Sequence, residues 1–236
     1  MADLETVAYR DGATALTGLL AQPQGTPRAA ILVFPTIANA NAAIERRARM
    51  LAEAGYLSMI ADFYGEPVAD AHAGQELAKA LRANVVRYRA RLSAALAALH
   101  GHKAAAGLPL AAIGYCMGGQ AALELARSGA DIAVAVSFHG ILETAHRAQP
   151  GAIRARLLVC HGHKDPLAPR GELAHFEDEM DVAGAQWHLH VYSHARHGFT
   201  DPASDTRGAP LVLAYDPSAD RQSWAAMLSL FDEVFE

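Results

Sequence analysis

The sequence predicts an α/β fold with a mostly parallel central sheet and helices on both of its faces. Short apolar segments typical of buried strands alternate along the chain with longer segments typical of helices. The strand-like segments are continuous apolar runs, as in residues 29–34, and such runs are typical of strands covered on both faces. With 236 residues, 52% of them hydrophobic, and no linker rich in Gly, Ser or Pro, the chain is expected to form one domain over residues 1–236.

The predicted elements follow one another in the order that such a sheet requires. Residues 6–10 and 14–22 flank Asp11 and Gly12, a pair typical of a hairpin turn. Six apolar strands are then predicted, at residues 29–34, 56–61, 110–113, 132–138, 157–161 and 187–192. Helices are predicted at residues 41–54, 72–100, 117–128, 170–183 and 223–235. We expect a sheet of about seven or eight strands, with its ligand site beyond the carboxyl ends of the parallel strands.

Composition and charge favour a small molecule as the partner. The net charge of −5 gives no overall basic field that would attract nucleic acid or an anionic membrane. The amino-terminal segment lacks the regions of a signal peptide, and no apolar run reaches the length of a membrane span. Only two cysteines are present, which suits reduced thiols better than a disulfide framework. We therefore expect a cytoplasmic monomer or homodimer that binds neither nucleic acid nor membrane.

The hexapeptide GYCMGG at residues 114–119 carries the strongest functional signal. It lies between the strand predicted at 110–113 and the helix predicted at 117–128, so Cys116 occupies a turn from strand to helix. A nucleophile elbow has this form, because flanking glycines let the backbone pass close to itself while the nucleophile is held exposed in a strained conformation. The amides at the start of the helix also favour a thiolate. We interpret Cys116 as a nucleophile rather than a buried structural cysteine.

A cysteine nucleophile needs a base and a carboxylate that orients the base, and both follow on later strand ends. Asp165 comes after the strand at 157–161, and His197 comes after the strand at 187–192. The order nucleophile, acid, histidine along the chain is that of α/β-hydrolases. His194 lies in the same loop as His197 and is the competing candidate for the base.

Four segments resemble those of the dienelactone hydrolase family, and the resemblance extends over essentially the whole chain. They are GYCMGG at 114–119, HGHKD at 161–165, YSHARHGF at 192–199 and ADFYG at 61–65. The resemblance implies an α/β-hydrolase fold and an ester or lactone hydrolase without metal or organic cofactor. Position by position, it makes Cys116 the nucleophile, His197 the general base and Asp165 its orienting partner. It also implies an oxyanion hole formed by the backbone amides of Ile37 and Met117.

Two positions depart from the family pattern. Thr36 stands where well-known members carry a glutamate that helps to control the thiol, so activation of Cys116 should rest mainly on His197 and the helix terminus. Those members place an arginine shortly after the histidine, whereas residues 198–201 of this chain are GFTD. Because Asp201 near the pocket would repel an anion, we expect a neutral substrate. The substrate pocket is expected to include Thr36, Phe63, Tyr64, His139 and Phe199.

The chemistry of a thiolate narrows the expected substrates. A tetrahedral adduct expels the thiolate again unless the other leaving group is better. Activated esters and lactones with aryl or enol leaving groups therefore fit best. The resemblance also points to a promiscuous activity on aryl phosphotriesters.

Two alternatives remain open from the sequence. The 12 histidines include the pairs His161 with His163 and His188 with His190, each spaced to share one strand face, as in a metal-dependent hydrolase. The second alternative is a non-catalytic small-molecule binding protein on a hydrolase fold. The helix predicted at 72–100 carries four arginines that are expected to form a solvated face, with contact to a substrate anion as the alternative: Arg82, Arg87, Arg89 and Arg91.

Overall fold

The computed structural model describes residues 4–235 and contains one eight-stranded sheet. Its strands are β1 (Leu4–Asp11), β2 (Thr14–Ala21), β3 (Ala30–Phe34), β4 (Leu57–Ile60), β5 (Leu110–Tyr115), β6 (Val134–Phe138), β7 (Arg156–Gly162) and β8 (Trp187–Tyr192). They lie in the order β1-β2-β4-β3-β5-β6-β7-β8. The hairpin β1–β2 is antiparallel, β2 runs antiparallel to β4, and the strands from β3 to β8 are parallel. The mostly parallel sheet is thus confirmed, and six carboxyl ends share one edge.

Six α-helices surround the sheet in the part of the chain that the structure describes. They are α1 (Ala42–Glu53), α2 (Ala71–Arg82), α3 (Val85–His100), α4 (Met117–Arg127), α5 (Arg170–Ala183) and α6 (Pro217–Val234). Polar side chains cap several of their first turns, as where Asn41 Oδ1 accepts the backbone N–H groups of Ala43 and Ile44. Between residues 4 and 235, no helix combines the length and apolar character that crossing a membrane requires.

Two helices differ from the sequence prediction. The helix predicted at 72–100 is divided into α2 and α3, because Asn84 is extended (φ −127°, ψ 105°) and its side chain accepts the N–H of Arg87 as a helix cap. The last helix begins at Pro217 rather than at residue 223. Asp216 caps it, and a proline in the first turn lacks only an N–H that would have no partner there.

Buried apolar side chains form one layer on each face of the sheet. Helices α2 to α5 cover one face with residues such as Leu92 and Met180, and helices α1 and α6 cover the other with residues such as Leu51 and Phe231. A fully buried side chain of this size contributes about 1.5–3 kcal/mol to stability. The two layers explain why the parallel strands from β3 to β7 are apolar on both sides, whereas the edge strand β8 has half-buried and exposed residues.

The expectation of a solvated arginine face is wrong for Arg89 and Arg91 of α3. Arg91 is only 4% exposed, and its Nε lies 2.7 Å from Oδ2 of Asp11. Arg89 is half-buried and donates to Oε2 of Glu124 at 2.8 Å, while Arg87 alone of the three is exposed. The partners come from distant segments of the chain, so the local charge pattern could not reveal them.

Candidate active site

Cys116 stands between β5 and α4 in a strained backbone conformation. Its φ of 58° and ψ of −120° are uncommon for a residue with a side chain. The N–H of Cys116 donates both to the carbonyl oxygen of Phe138 and to Nδ1 of His139, each at 3.1 Å. The turn from strand to helix expected for residues 114–119 is therefore present at the carboxyl end of β5.

Two glycines make this turn possible. A Cβ on Gly118 would lie 2.1 Å from the carbonyl oxygen of Phe34, and a Cβ on Gly114 would lie 1.9 Å from the carbonyl oxygen of Gly118. Both separations are far shorter than van der Waals contact, and the atoms that would be struck belong to the backbone. Close backbone approach thus requires glycine at both positions, as an elbow predicts.

Replacement Gly118→Ala should therefore destabilise the protein by about 3 kcal/mol, because the end of β3 must move to admit the methyl group. Urea unfolding measures this change. Gly171→Ala in α5 is the control, since a Cβ there meets nothing within 4 Å. Equal unfolding free energies for wild type and Gly118→Ala would contradict the close approach.

Asp165 and His197 lie on the loops after β7 and β8 and are hydrogen bonded to each other. Nδ1 of His197 is 2.8 Å from Oδ2 of Asp165, and both residues are 3% exposed. Oδ1 of Asp165 accepts the N–H of Leu167 at 2.8 Å, which fixes the carboxylate. The N–H of His197 donates to the carbonyl oxygen of Val212 at 3.1 Å, which fixes its loop. The other ring nitrogen, Nε2, is buried and has no geometric hydrogen-bond partner among the described residues, but the His197 ring is close enough to act on the thiol of Cys116.

Cys116 and His197 shift each other's pKa in opposite directions. Burial would raise the pKa of Cys116, but the nearby His197, chiefly through its charge, and the backbone amides of Met117 and Ile37 lower it below its usual value. Burial would lower the pKa of His197, whereas Cys116 and Asp165 raise it to about 10. These opposite directions favour the ion pair of thiolate and imidazolium over the neutral pair.

The loop after β3 is held by residues that follow β4. The hydroxyl of Tyr64 donates to the carbonyl oxygen of Ile37 at 3.2 Å. Asn39 has a φ of 59°, donates to Oδ1 of Asp62 at 2.7 Å and accepts the N–H of Phe63 at 3.1 Å. These bonds fix the Ile37 amide that acts on the thiol. Sequence analysis did not single out Asn39, although asparagine is one of the residues that tolerate a positive φ.

The structure places the five expected pocket residues in three different settings. Phe63 and Phe199 are 0% exposed and are packing residues of the core behind the site, because burial of their rings excludes them from an open surface. Thr36 is half-buried and Tyr64 is 8% exposed, and both adjoin the loop that carries the Ile37 amide. His139 is 2% exposed and contacts the backbone of Cys116 rather than an open pocket.

Arg82, which the sequence analysis assigned to a solvated face, is half-buried at the end of α2. Its Nη1 donates to Oε1 of Gln120 at 3.1 Å, and its Nε is buried without a hydrogen-bond partner in the described part of the chain. Burial raises the pKa of Tyr64, the charge of Cys116 raises it further, and the positive charge of Arg82 lowers it. Arg82 therefore lies on the same side of the sheet as the thiol.

Asp201 does not present a free negative charge to the site. One of its carboxylate oxygens is ion-paired with Arg207, and the other accepts the N–H of Ala203 at 2.9 Å. The ion pair with Arg207 therefore removes the support that Asp201 gave to a preference for neutral substrates, and that preference stays a prediction.

The histidine pairs do not assemble into a ligand set. Within residues 4–235, no group of three or more His, Cys, Asp or Glu side chains is placed to hold a metal ion. His188 and His190 are exposed on the edge strand β8, whereas His161 is fully buried. His194, the competing base, is exposed on its loop, so it is His197 that pairs with the carboxylate.

Comparison with known proteins reveals similarity over essentially the whole chain. The sequence model of the dienelactone hydrolase family matches residues 16–235. A Bradyrhizobium sp protein named as a probable 2-oxo-3-(5-oxofuran-2-ylidene)propanoate lactonase is 30% identical over 217 residues, which are 87% of this chain and 84% of that protein.

Two solved structures are similar throughout their length. One, named m3DLH, is 37% identical and has a TM-score of 0.92 over 99% of each chain. The other, the dienelactone hydrolase-like promiscuous phosphotriesterase P91 from metagenomic libraries, is 36% identical and has a TM-score of 0.93 over 100% of each chain. The fold of the present chain is therefore shared in full with these proteins.

Proposed function

The chain belongs to the dienelactone hydrolase family and is a hydrolase, and we propose that it cleaves small activated carboxylic esters or lactones through an acyl-enzyme on Cys116. One observation carries this proposal. His197 is bonded through Nδ1 to Asp165 at 2.8 Å, and its interaction with Cys116 raises the pKa of the imidazole while lowering that of the thiol. A charged thiolate and a proton donor are thereby held together before substrate arrives.

In the first half of the proposed reaction, the thiolate of Cys116 attacks the carbonyl carbon. The carbonyl oxygen gains the negative charge and accepts hydrogen bonds from the amides of Ile37 and Met117, the two amides that act on the sulfur in the free enzyme. His197 then gives its Nε2 proton to the departing oxygen, and the C–O bond breaks. A thioester on Cys116 and an alcohol or enol remain.

In the second half, water attacks the thioester. His197, now neutral, takes a proton from the water while the hydroxide adds to the carbonyl carbon. The tetrahedral adduct collapses, the C–S bond breaks and the thiolate is restored beside the imidazolium. Asp165 holds one tautomer and orientation of His197 throughout, because its Oδ2 remains bonded to Nδ1.

The names of two similar proteins support the substrate class. One is named as a lactonase and the other as a promiscuous phosphotriesterase. We propose lactones and aryl or enol esters as substrates and aryl phosphotriesters as a side activity. In the side activity the thiolate attacks phosphorus and expels the aryl oxide, and water then breaks the S–P bond to release a phosphodiester and restore the thiolate. A good leaving group is common to all three, as a thiolate nucleophile requires.

Arg82 should favour substrates that carry a negative charge. Its Nε is buried without a partner on the side of the thiol, and Asp201 is neutralised by Arg207. We expect Arg82→Gln to lower kcat/KM about tenfold for mono-p-nitrophenyl glutarate, because a charge-assisted hydrogen bond is lost. For neutral p-nitrophenyl pentanoate the value should change less than about twofold.

The control for this experiment is Arg87→Gln, since Arg87 is exposed near the start of α3. It should leave both kcat/KM values unchanged. An equal loss on the charged and the neutral ester in Arg82→Gln would contradict a role in charge recognition and assign Arg82 to packing.

The proposed function is tested with initial rates on p-nitrophenyl butyrate, a five-membered enol lactone and an aryl phosphotriester, each with and without a chelator. We expect turnover of the ester and the lactone that the chelator does not reduce. Activity lost to the chelator and restored by a divalent ion would favour the metal-dependent alternative. Binding without turnover would favour the non-catalytic alternative.

The cytoplasmic location stays a proposal, supported by the state of the two cysteines. Cys116 and Cys160 are both free thiols. A nucleophilic thiolate is preserved in a reducing compartment, where oxidation to a disulfide is opposed.

A further inference from the structure

His139 connects the elbow of Cys116 to the loop that carries His197. Its Nδ1 accepts the N–H of Cys116 at 3.1 Å, and its Nε2 lies 2.9 Å from Oγ1 of Thr200. The ring also packs edge-on against the ring of His197, with centroids 5.2 Å apart. One buried side chain therefore contacts both segments that the proposed chemistry must keep in place.

The hydrogen bonds of His139 define its tautomer. Because Nδ1 accepts the N–H of Cys116, the ring proton is on Nε2 and is donated to Thr200. A second proton on Nδ1 would point at the Cys116 N–H and break this contact. Burial, with positive charges such as those of His197 and Arg47, keeps the pKa of His139 well below its usual value. The ring thus stays neutral beside a charged His197.

The backbone at both ends of this contact is strained. His139 has a φ of 42° and Cys116 a φ of 58°, and such values persist only where the surroundings enforce them. The backbone that follows His139 is closely packed, since a Cβ on Gly140 would lie 2.4 Å from Oγ of Ser137 and 2.7 Å from the carbonyl carbon of Gly119. His139 is therefore a fixed support against which the elbow is held.

We propose that His139 is a positioning residue that holds the sulfur of Cys116 in register with His197. The inference rests on the proposed function, in which this sulfur attacks and His197 moves the proton. Without the Nδ1 acceptor, the N–H of Cys116 keeps only its bond to the carbonyl oxygen of Phe138, so the strained elbow is held less firmly. The sulfur can then move away from the imidazolium and from the amides that favour a thiolate. The loss should fall on kcat and on thiol ionisation, whereas KM should change little.

Two variants of similar shape test the acceptor. His139→Leu removes it, whereas His139→Asn places Oδ1 where Nδ1 was and also tolerates a positive φ. We expect His139→Leu to lower kcat on p-nitrophenyl butyrate by roughly 10- to 100-fold and to move the pH midpoint of Cys116 alkylation by iodoacetamide upward. His139→Asn should recover most of both losses. Thr200→Val removes the acceptor for Nε2. It should also lower kcat and raise the alkylation midpoint, but by less than His139→Leu does.

His100→Asn is the control, because His100 is exposed at the far end of α3 and should change neither quantity. If His139→Leu does not fold, the kcat and alkylation midpoint of Thr200→Val, compared with those of wild type, test the role of His139. An unchanged alkylation midpoint and kcat in Thr200→Val and His139→Leu, or no recovery in His139→Asn, would overturn the inference. Alkylation of Cys116 does not require turnover. If the wild-type protein hydrolyses no ester, the proposed function is contradicted, but the alkylation midpoints still test whether His139 positions Cys116.

Discussion

Cys116→Ala is expected to lower kcat by about 10⁴-fold or more, since the proposed reaction has no other nucleophile. Cys160 cannot replace it. Its side chain on β7 is 0% exposed, and burial raises the pKa of its thiol to about 12. The alanine variant should fold normally, because only one sulfur is removed from a half-buried position. Steady-state rates on p-nitrophenyl butyrate, with circular dichroism to verify the fold, measure the effect.

Cys160→Ala is the matched control for this loss. It removes the second thiol from β7 without touching the elbow, so kcat should stay within about twofold while stability falls by about 1 kcal/mol. Turnover that survives in Cys116→Ala and is lost to a chelator would point instead to the metal-dependent alternative.

His197→Gln is expected to lower kcat by about 10³- to 10⁴-fold through two separate effects. It removes the group that protonates the leaving oxygen. It also removes the charge that opposes burial at Cys116, so the pKa of the thiol should rise and less thiolate should be present at neutral pH.

The sign of the pH dependence follows from the two shifts. In wild type, kcat/KM should rise as the pH passes the lowered pKa of Cys116 and should fall again as His197 loses its proton near its pKa of about 10. In His197→Gln the alkylation of Cys116 should begin at higher pH, and the alkaline fall of the remaining activity should disappear. The pH profiles of kcat/KM and of alkylation by iodoacetamide measure both.

His194→Gln separates the two candidate bases. His194 lies in the same loop but is exposed, and it is His197 that bonds to Asp165. The His194 variant should keep kcat within about twofold. Loss of activity in His194→Gln with retention in His197→Gln would reverse the assignment.

Local sequence patterns predicted the order of the elements and the turn that carries Cys116. Parallel strands covered on both faces are continuous apolar runs, and a turn as tight as that of residues 114–119 leaves little choice but glycine. The two loops that carry Asp165 and His197 were predicted to meet at the carboxyl edge because parallel strands end there together. Their catalytic roles remain predictions for the variants above.

Features that depend on distant partners were missed. Arg91 was expected in solvent, but its partner Asp11 lies 80 residues earlier in the chain. The predicted helix is interrupted at Asn84 because its side chain caps α3, and intrinsic helix propensities do not include such a side-chain hydrogen bond. The support of Cys116 by His139 joins positions 23 residues apart through a strained backbone, and no periodic pattern predicts a positive φ.

Mass spectrometry of the intact enzyme, quenched during turnover of a p-nitrophenyl ester, tests the central proposal most directly. With deacylation slower than acylation, p-nitrophenol should appear in a burst of about one equivalent per active site. The quenched protein should then gain the mass of the acyl group on the peptide that contains Cys116, and the adduct should be absent from Cys116→Ala. Turnover with neither burst nor adduct, or an adduct on another residue, would contradict an acyl-enzyme on Cys116.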